Sequence, residues 1–577
     1  MNYQSPIYTE KTQCQDCYKC IRECPVKAIC VENGHAMVVS ELCVSCGHCV
    51  TVCPAGAKRV RDDKGRAAQL LTLKDRVLVS LAPSFAAEFG HVSSSGLVAA
   101  IKSLGFFGVS ETAIGADLVS AQIAEDLAGT QGKLLLSSAC PAAVEYIKRY
   151  MSEFTPHITD RASPLLAHSR FLRQTYGEDI GIVFIGPCIA KKREADVWSS
   201  IDCAISFSDL KKWLADEGID IKAPPRGDGP FPHESSFIPF RAAKGALYPI
   251  DGGMIASIKK YPESGGMRAM SVTGLEQIDK ALRGLDAEKL EEPLFMELLA
   301  CPGGCINGPA CSLGEPTALR RIKLLSYAEK ANDLLRERRP TMTGTLPVGT
   351  LVSIPHTDEE IRAGLRQVGK LELKDELNCG SCGYDTCHGF TAAMLEGRAE
   401  KTMCVSYMRK LAQKKANGLI RAIPSGVVIC GPDLKIIECN ENFARLMGPD
   451  ILCMFEAKPG LEGAELEKIT QMSRYFNDVM HLSGPDAVEH EFREGKKIFQ
   501  VSVFSIEKGE SACGVIQDVT TPQIQKDRVI SQTRRVITKN LAVVQKIAYL
   551  LGENAAETEA TLNSIIESFS GLDEGGQ

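Results

Sequence analysis

The cysteine spacing near the N-terminus is the feature that most constrains what this chain can fold into. Cys14-x2-Cys17-x2-Cys20-x3-Cys24 is followed by Pro25, and the same pattern recurs 29 residues later as Cys43-x2-Cys46-x2-Cys49-x3-Cys53 before Pro54. Cysteines clustered in this way indicate metal ligands rather than a dispersed set of disulfides. The repeat therefore predicts a metal-binding module at residues 1–62.

This repeat has the spacing of bacterial two-cluster ferredoxins. Three closely spaced thiolates hold three corners of a [4Fe–4S] cube, and the fourth, just before Pro, crosses to the other cube. We therefore expect one cluster on Cys14, Cys17, Cys20 and Cys53, and the other on Cys43, Cys46, Cys49 and Cys24. Two zinc knuckles are the alternative, but zinc sites rarely use this three-plus-one spacing twice.

The composition excludes several classes of protein. With 577 residues the chain is expected to hold about four domains, and 44% hydrophobic with 24% charged residues is ordinary for a folded chain. The net charge of −6 lacks the basic bias of a nucleic-acid-binding protein. No run reaches the ~18 apolar residues of a membrane-spanning helix. Residues 1–14 do not resemble a signal peptide, so we expect a cytoplasmic protein with reduced thiols.

Beyond the first module, strand-like and helical stretches alternate. Apolar runs at Val77–Leu81, Lys133–Ser137 and Gly181–Ile185 predict an α/β domain over residues 75–340. A Gly/Pro-rich loop inside that domain contains Pro224, Pro225, Pro230 and Pro232, and the Thr/Pro-containing stretch Arg339–Thr350 is predicted to be a linker. The whole chain is therefore expected to be a multidomain α/β and α+β protein.

Three further motifs in the α/β domain carry four cysteines. They are SSACP at residues 137–141, GPCIAKKRE at 186–194 and ELLACPGGC at 297–305. The first two follow strand-like runs, and strand ends are where α/β sheets build sites. Gly303 and Gly304 would let backbone approach a bulky inorganic ligand, and Lys191 and Lys192 would supply positive charge to an anionic one. Buried structural cysteines are the alternative, but such a combination is not typical of a core.

These three motifs resemble the signature motifs of [FeFe]-hydrogenases, and the resemblance extends from the N-terminus to about residue 340. It implies that Cys140, Cys188, Cys301 and Cys305 ligate the [4Fe–4S] part of an H-cluster. Cys305 would bridge to a two-iron subcluster that carries CO and CN ligands. By the same resemblance Lys191 hydrogen-bonds one cyanide, Ala82-Pro83-Ser84 lines the other, and Glu194 matches the acidic residue of the second motif.

The chain departs from the family pattern at several positions. Ala139 stands where the family carries its proton-relay Cys, and because a methyl group cannot carry a proton we expect slow turnover. Gly186 and Leu299 each replace a Met of the family, and Asn307-Gly308-Pro309 alters its Gly-rich end. The sequence thus predicts a remodelled pocket that keeps all four cluster ligands.

A second cysteine cluster lies in a mostly helical segment, predicted as a domain over residues 357–412. Its spacing, Cys379-x2-Cys382-x4-Cys387-x16-Cys404, resembles the small four-Cys [4Fe–4S] domain of corrinoid-protein and electron-transport subunits. Gly380 and Gly383 would allow tight wrapping, and a helix at Phe390–Lys401 would bring back Cys404. A zinc site is the alternative. Seven cysteines remain as expected packing residues: Cys30, Cys203, Cys311, Cys430, Cys439, Cys453 and Cys513.

Residues 419–520 resemble a PAS domain. The expected elements are strands at Gly426–Cys430, Leu434–Cys439, Phe499–Ile506 and Ala512–Thr520, with a helix at Asn440–Leu446. His481 and His490 could ligate haem, although a lone His is far more often structural. The ligand of this domain is left open.

The last segment, residues 523–570, has helical periodicity. Two heptad series run through it: Val529, Val536, Val543 and Leu550, and Ile530, Ile537, Val544 and Leu551. They predict a dimerising helical hairpin or a four-helix bundle, with packing on the chain's own PAS domain as the alternative. No His follows His490, so the phospho-acceptor of a histidine kinase is absent from this sequence.

Together these patterns predict a slow, hydrogen-sensing [FeFe]-hydrogenase with three [4Fe–4S] clusters and an H-cluster. Its expected partners are H2, protons, an electron carrier such as ferredoxin, a separate kinase, phosphatase or regulator, and a second copy of the chain. Neither nucleic acid nor membrane is expected. A ferredoxin-linked catalytic hydrogenase regulated by its PAS domain is the first alternative, and an iron–sulfur assembly protein without the two-iron site is the second.

Overall fold

The computed structural model divides the chain into two compact units, residues 1–403 and 404–577. The boundary falls inside the predicted 357–412 segment. The residues that the structure describes are 5–129, 134–221, 236–265, 268–312, 314–329, 343–349, 351, 355–481, 483–495, 497–520 and 536–537.

The first unit mixes short strands with many helices. Its strands are β1 (Ile7–Thr9), β2 (Ile29–Glu32), β3 (His35–Val38), β4 (Lys58–Val60), β5 (Val77–Leu81), β6 (Gly108–Glu111), β7 (Leu134–Leu136), β8 (Gly181–Gly186), β9 (Cys203–Ser206), β10 (Arg268–Thr273) and β11 (Leu294–Leu299). Its helices are α1 (Lys19–Arg22), α2 (His48–Val52), α3 (Lys64–Leu73), α4 (Phe85–Glu88), α5 (Ser94–Ser103), α6 (Ala113–Gly129), α7 (Pro141–Tyr150), α8 (Pro164–Tyr176), α9 (Ala190–Val197), α10 (Phe207–Asp216), α11 (Gly253–Ile258), α12 (Leu275–Leu282), α13 (Thr317–Ala328), α14 (Asp358–Gln367) and α15 (Cys387–Leu395).

Two parallel sheets form the centre of the α/β domain. One has the strand order β6-β5-β8-β9 and the other the order β10-β11-β7. Every residue of β5 and of β8 is buried, as expected for parallel strands whose two faces are both covered by helices. The strand predictions at 77–81 and 181–185 are confirmed, and that at 133–137 is confirmed for β7.

The N-terminal module consists of two small antiparallel strand pairs, and a short helix lies within each group of cysteines: α1 contains Cys20 and α2 contains Cys49. Strand β1 pairs with β4, and β2 forms a hairpin with β3. Helix α1 begins after Tyr18 and α2 after Gly47, both in left-handed backbone conformation. This arrangement turns each Cys-rich loop back on itself directly before its helix.

The predicted helix at Phe390–Lys401 is wrong in both bounds. Helix α15 begins at Cys387, because the Thr386 side chain accepts a hydrogen bond from Gly389 N and caps the helix there. It ends at Leu395, where Gly397 adopts a left-handed conformation with φ of 72°. The chain between Gly397 and Lys401 is therefore irregular.

The second unit is a helix followed by an antiparallel sheet. Its elements are α16 (Val405–Ala422), β12 (Gly426–Cys430), β13 (Ile436–Cys439), α17 (Glu441–Met447), α18 (Pro449–Ala457), α19 (Leu466–Ile469), α20 (Ser473–Met480), β14 (Ala487–Glu494), β15 (Lys497–Glu507) and β16 (Ser511–Asp518). The sheet order is β13-β12-β16-β15-β14, and apolar side chains from the sheet and from α17 and α20 form one core. The predicted strands and helix of this region are confirmed to within two residues at each end.

Several predicted packing cysteines lie where expected, but one does not. Cys430, Cys439 and Cys513 are buried, whereas Cys453 is exposed on α18, which buries none of its residues. Both His481 and His490 are exposed, and the His490 ring stacks on Tyr475.

Two predictions lie outside the described residues. These are the Pro-rich loop at 224–232 and, apart from residues 536–537, the helical tail at 523–570. Among the helices of the described part of the chain, none combines the length and the apolar content needed to cross a membrane.

Candidate cluster-binding sites

Four thiols from the three central motifs line a single cavity. The lining residues are Ser45, Cys46, Cys140, Ala142, Pro187, Cys188, Ala300, Cys301, Cys305 and Gly308. Cys140 follows β7, Cys188 follows β8 and Cys301 follows β11, so the cavity lies at the carboxyl ends of strands from both parallel sheets. The structure thus brings together four thiols that are up to 165 positions apart along the chain.

Hydrogen bonds around Ser137 place the first thiol. Ser137 N donates to Met296 O at 2.9 Å, and Ser137 Oγ accepts from Leu298 N at 2.9 Å, which ties the end of β7 to β11. Cys140 then precedes helix α7, and Ala300 N donates to its Sγ at 3.5 Å. The loop that carries Cys140 is therefore fixed against the strand that leads to Cys301.

The glycines of the third motif make room for other parts of the protein, not for the ligand that the sequence predicts. Gly304 has φ of 97°, and a Cβ there would lie 2.2 Å from Pro249 O. A Cβ on Gly303 would lie 2.8 Å from Asn307 Nδ2. These glycines therefore allow close approach between protein segments, rather than leaving room for a ligand.

Burial shifts the titration of the cavity thiols. It raises the pKa of Cys188 to about 11 and raises those of Cys301 and Cys305 well above the ordinary value, and the neighbouring thiols add to each shift. Four thiolates confined in an apolar space need positive charge to be stable. A cluster of iron ions supplies that charge, so the donor set fits an iron–sulfur group.

Lys191 lies beside this cavity, as predicted, whereas Lys192 does not. Lys191 Nζ donates to Ser163 Oγ at 2.9 Å and pairs with Glu194, and its charge offsets part of the rise in the pKa of both Cys188 and Cys305. The Ser163 hydroxyl also donates to Glu194.

The expectation that Lys192 faces an anionic ligand is wrong. Its ammonium is buried and bonds Asp63 Oδ2 at 3.1 Å, Asp209 Oδ2 at 3.3 Å and Ala204 O at 3.1 Å. A buried ammonium is stable only when it is paired and hydrogen-bonded in this way. Lys192 therefore joins the α/β domain to the end of the N-terminal module.

The segment Ala82-Pro83-Ser84 follows β5 at the same edge. Ser84 is buried, and its Oγ has no hydrogen-bond partner among the described residues. Such an orphaned hydroxyl fits a polar ligand at this edge. A Cβ on Gly186 would lie 2.5 Å from the Phe184 ring and 2.8 Å from Ala82 Cβ, so the position that resembles a family Met is filled by Phe184.

The methyl group of Ala139 packs against the core of the α/β domain. It carries no exchangeable proton, so this position offers no relay next to Cys140.

The N-terminal cysteines fall into the two crossed groups that their spacing predicts. Burial raises the pKa of Cys20 to about 11, and the charges of Cys17, Cys53 and Cys14 add to this rise. Those of Cys46, Cys43 and Cys24 raise the pKa of Cys49. We call these the first thiol set (Cys14, Cys17, Cys20 and Cys53) and the second thiol set (Cys24, Cys43, Cys46 and Cys49).

The second thiol set encloses a cavity of its own. All four of its cysteines line that cavity, together with apolar residues such as Ile7 and Val44. Cys46 also lines the cavity of Cys140, Cys188, Cys301 and Cys305. The two candidate cluster sites are thus neighbours that share one residue. Among the described residues, no three His, Cys, Asp or Glu side chains converge closely enough to hold a single metal ion.

The additional cysteines differ in environment. Cys379 is exposed, Cys382 is half-buried and Cys387 is buried. Asn378 Oδ1 accepts from Cys387 N at 2.7 Å, which closes the loop between Cys379 and α15. Cys404 is buried and directly precedes α16.

Sequence reasoning missed three contributions to these sites. Ser45 and Cys46 line the central cavity although they belong to the N-terminal module, and Ser163 bonds both Lys191 and Glu194. Ser163 stands in no recognised motif, because its partners lie 28 or more positions away. No spacing signal could have found it.

Family models match three parts of the chain. The model for "Iron only hydrogenase large subunit, C-terminal domain" matches residues 75–309. A "4Fe-4S binding domain" model matches residues 36–59, and the FeS model, for an Fe-S cluster, matches residues 375–406. The chain therefore combines a domain similar to the iron-only hydrogenase large subunit with iron–sulfur domains.

Relatives of two kinds are similar to this chain. The NADP-reducing hydrogenase subunit HndD of Solidesulfovibrio fructosivorans is 26% identical, over 57% of this chain and 69% of its own. The periplasmic [Fe] hydrogenase large subunit of Nitratidesulfovibrio vulgaris is 25% identical, over 54% of this chain and 86% of its own. A probable cytosolic Fe-S cluster assembly factor of Caenorhabditis elegans, oxy-4, is 24% identical, over 46% of this chain and 68% of its own.

Solved structures also align with parts of the chain. A variant of the [FeFe]-hydrogenase HydA1 from Chlamydomonas reinhardtii covers 48% of this chain and 91% of its own, with 18% identity and a TM-score of 0.37. The PAS domain of an HTR-like protein from Haloarcula marismortui covers 19% of this chain and 99% of its own, with 14% identity and a TM-score of 0.15.

Proposed function

We propose that this protein is a slow, hydrogen-sensing [FeFe]-hydrogenase that reports its redox state to a PAS domain. One observation carries the proposal: four thiols from three distant motifs line one cavity, and that cavity shares Cys46 with the cavity of the second thiol set. A hydrogen-converting site needs an adjoining electron carrier, and the shared residue supports such a pair.

The protein residues would divide the work at the central cavity. Cys140, Cys188, Cys301 and Cys305 would hold the [4Fe–4S] part of an H-cluster, with Cys305 bridging to the two-iron part. When bound, this group supplies the activation of H2 and the electron transfer. Lys191 would donate to one cyanide, while Ser84 Oγ, beside Pro83, has a free hydrogen bond for the other. Glu194 would orient Lys191 through their ion pair.

Slow turnover follows from Ala139. General acid–base groups contribute about 10²–10⁴-fold to a rate when they are correctly placed. A methyl group at this position leaves the proton without a side-chain carrier in its first step, and slow conversion suits detection better than production. The absence of a relay thiol at position 139 therefore supports a sensory role over bulk hydrogen conversion.

The helix after Cys404 supports the signalling part of the proposal. Cys404, a proposed ligand of the additional cluster, is the capping residue of the 18-residue helix α16. At the other end of α16, Asn440 Nδ2 donates to Ile420 O at 2.9 Å and to Ser425 O at 2.8 Å. Asn440 Oδ1 accepts from Val427 N and Phe443 N, so one buried amide joins the helix, β12 and α17. A shift of α16 would therefore reach the proposed PAS core directly.

The infrared spectrum of the full chain, matured with the two-iron subcluster, tests the function. Bands of iron-bound CO and CN are expected, together with weak hydrogen oxidation and an iron content that fits three [4Fe–4S] clusters besides the H-cluster. A protein that carries the [4Fe–4S] clusters but shows no CO or CN bands would contradict the hydrogenase proposal.

A second candidate, from a different class, is an iron–sulfur assembly protein. Its support is the likeness to the probable assembly factor of Caenorhabditis elegans. Lys191 beside the cavity and the orphaned Ser84 hydroxyl favour the hydrogenase, because a site without CO and CN would need neither. A ferredoxin-linked catalytic hydrogenase is the third candidate, and high turnover of the purified protein would favour it.

The proposed function also implies substrates and partner proteins. H2 and protons would be the substrates, a ferredoxin-type protein the electron carrier, and a kinase, phosphatase or regulator the receiver of the signal. The heptad series of the tail supports a homodimer, and reduced cysteines support a cytoplasmic location.

A further inference from the structure

Two cysteine-bearing segments that are far apart in sequence meet in the first unit. A Cβ on Gly383 would lie 2.7 Å from Ile21 Cγ2 and 3.1 Å from Arg22 N. Gly383 follows Cys382, and Ile21 follows Cys20 of the first thiol set. The backbone of the additional Cys loop therefore lies directly against helix α1, and only a residue without a side chain fits there.

Backbone hydrogen bonds extend this contact along the N-terminal module. Val31 N, on strand β2, donates to Arg398 O at 3.1 Å. Arg398 Nη1 donates to Lys27 O at 3.4 Å, and Lys27 Nζ lies 4.0 Å from Asp385 Oδ1. The backbone pairing extends the β2–β3 hairpin by one bond at its edge.

A buried side chain beside Gly383 supports the contact. Tyr384, which follows Gly383, is buried, and its ring lies 5.9 Å from the ring of Phe390 on α15. The loop is therefore fixed by packing directly next to the residue that contacts α1.

We propose that Gly383 and Arg398 form an intramolecular docking surface that holds the additional Cys loop against helix α1 and the first thiol set rather than the second. The closest contact is that of Gly383 with Ile21, the residue directly after Cys20. The second thiol set instead adjoins the central cavity through Cys46. The inference rests on the proposed iron–sulfur function, and it orders the sites as additional loop, first set, second set and central cavity.

Amide exchange at Val31 and paramagnetic coupling test the docking in the full, iron-loaded chain. In Gly383→Ala we expect exchange of the Val31 amide to become roughly tenfold faster, because the contact that protects it opens. The electron paramagnetic resonance signal of the reduced additional cluster, identified by its loss in Cys382→Ser, should lose the broadening caused by its neighbour. Iron content should not change.

Gly380→Ala is the matched control. Gly380 also has positive φ, 70° against 92° for Gly383, but a Cβ there would meet nothing within 4 Å. Equal effects of the two variants would show that loop strain alone is responsible and would overturn the docking proposal, as would unchanged exchange and broadening in Gly383→Ala.

Arg398→Ala provides a second variant if Gly383→Ala loses iron. It removes the bond to Lys27 O outside the Cys loop, and we expect faster exchange at Val31 in this variant too. Unchanged exchange would contradict the proposal.

The docking and the hydrogenase function can fail separately. If the Val31 amide stays protected in a protein that shows no CO or CN bands, the hydrogenase function is contradicted and the docking proposal is not.

Discussion

The central cavity and the additional Cys loop hold similar thiols in opposite environments. The cavity is built from three distant segments at strand ends, and burial raises the pKa of Cys188 to about 11. The loop from Cys379 to Cys387 spans nine residues, and hydrogen bonds from the side chain and backbone of Ser381 lower the pKa of the exposed Cys379. The difference shows that the cavity depends on exclusion of water, whereas the loop depends on local wrapping near the surface.

Removing one thiol from each region gives the largest expected contrast. Cys305→Ser should abolish hydrogen turnover, on the order of 10³-fold or more, because it removes the proposed bridge between the two parts of the H-cluster. Cys382→Ser should lose the additional cluster and its signal while hydrogen oxidation with an artificial dye continues. Cys453→Ser, at an exposed cysteine of the second unit, is the control. Equal loss of turnover in Cys305→Ser and Cys382→Ser would contradict the different roles proposed for the central cavity and the additional Cys loop.

Restoring a relay thiol to the cavity should have the next largest effect. In Ala139→Cys we expect hydrogen turnover to rise by about 10²-fold or more, because a thiol carries the proton that a methyl cannot. Ala139→Ser should give a smaller rise, since a hydroxyl is a weaker acid. Turnover is compared at equal iron and CO content, and an unchanged rate in fully loaded Ala139→Cys would count against the relay.

Alkylation of the metal-free protein compares the two environments directly. The pKa of Cys379 lies below the ordinary value near 9 and that of Cys188 near 11, so at pH 8 the thiolate fraction of Cys379 is larger by roughly a hundredfold or more. Peptide mass spectrometry should find Cys379 modified first. The rate at Cys188 should rise with pH up to about 11, and comparable rates at pH 8 would show that the cavity opens without metal.

A buried histidine makes the sheet that supports the cavity sensitive to acid, whereas the exposed loop has no such group in its described residues. His168 is fully buried between Ser80 and Ser110, whose Oγ atoms lie 2.8 Å and 2.9 Å from its ring nitrogens, and burial lowers its pKa to about 3. The unfolded chain, with an ordinary histidine pKa near 6.5, binds more protons between these values, so stability is lost as the pH falls below about 6.5.

From pH 7 to pH 5 the expected loss that His168 contributes is about 2 kcal/mol, whereas Asp117 and Glu297, whose pKa burial raises to about 7, add stability over the same range. The loss is measured by amide exchange of β5 and β8. In His168→Gln this contribution should disappear, whereas His481→Gln, at an exposed histidine, should keep the pH dependence of the native chain. An unchanged pH dependence in His168→Gln would contradict the assignment.

The sequence predicted the local features well. The grouping of the first and second thiol sets follows from spacing within 40 residues, and the buried strands β5 and β8 follow from continuous apolar runs. Helix α15 was misplaced, because its start depends on the cap at Thr386 and its end on Gly397 rather than on periodicity.

By itself, then, the sequence determined the cysteine groups, the three motifs and the missing relay at Ala139, since each of these depends on residue identity or short spacing. Only the tertiary structure decided that Lys192 binds Asp63, that Cys46 lines two cavities and that Gly383 lies against Ile21. The reason is physical: these contacts join segments separated by 94 to 362 residues, or result from the packing of one module on another, and no periodic pattern records which distant surfaces meet.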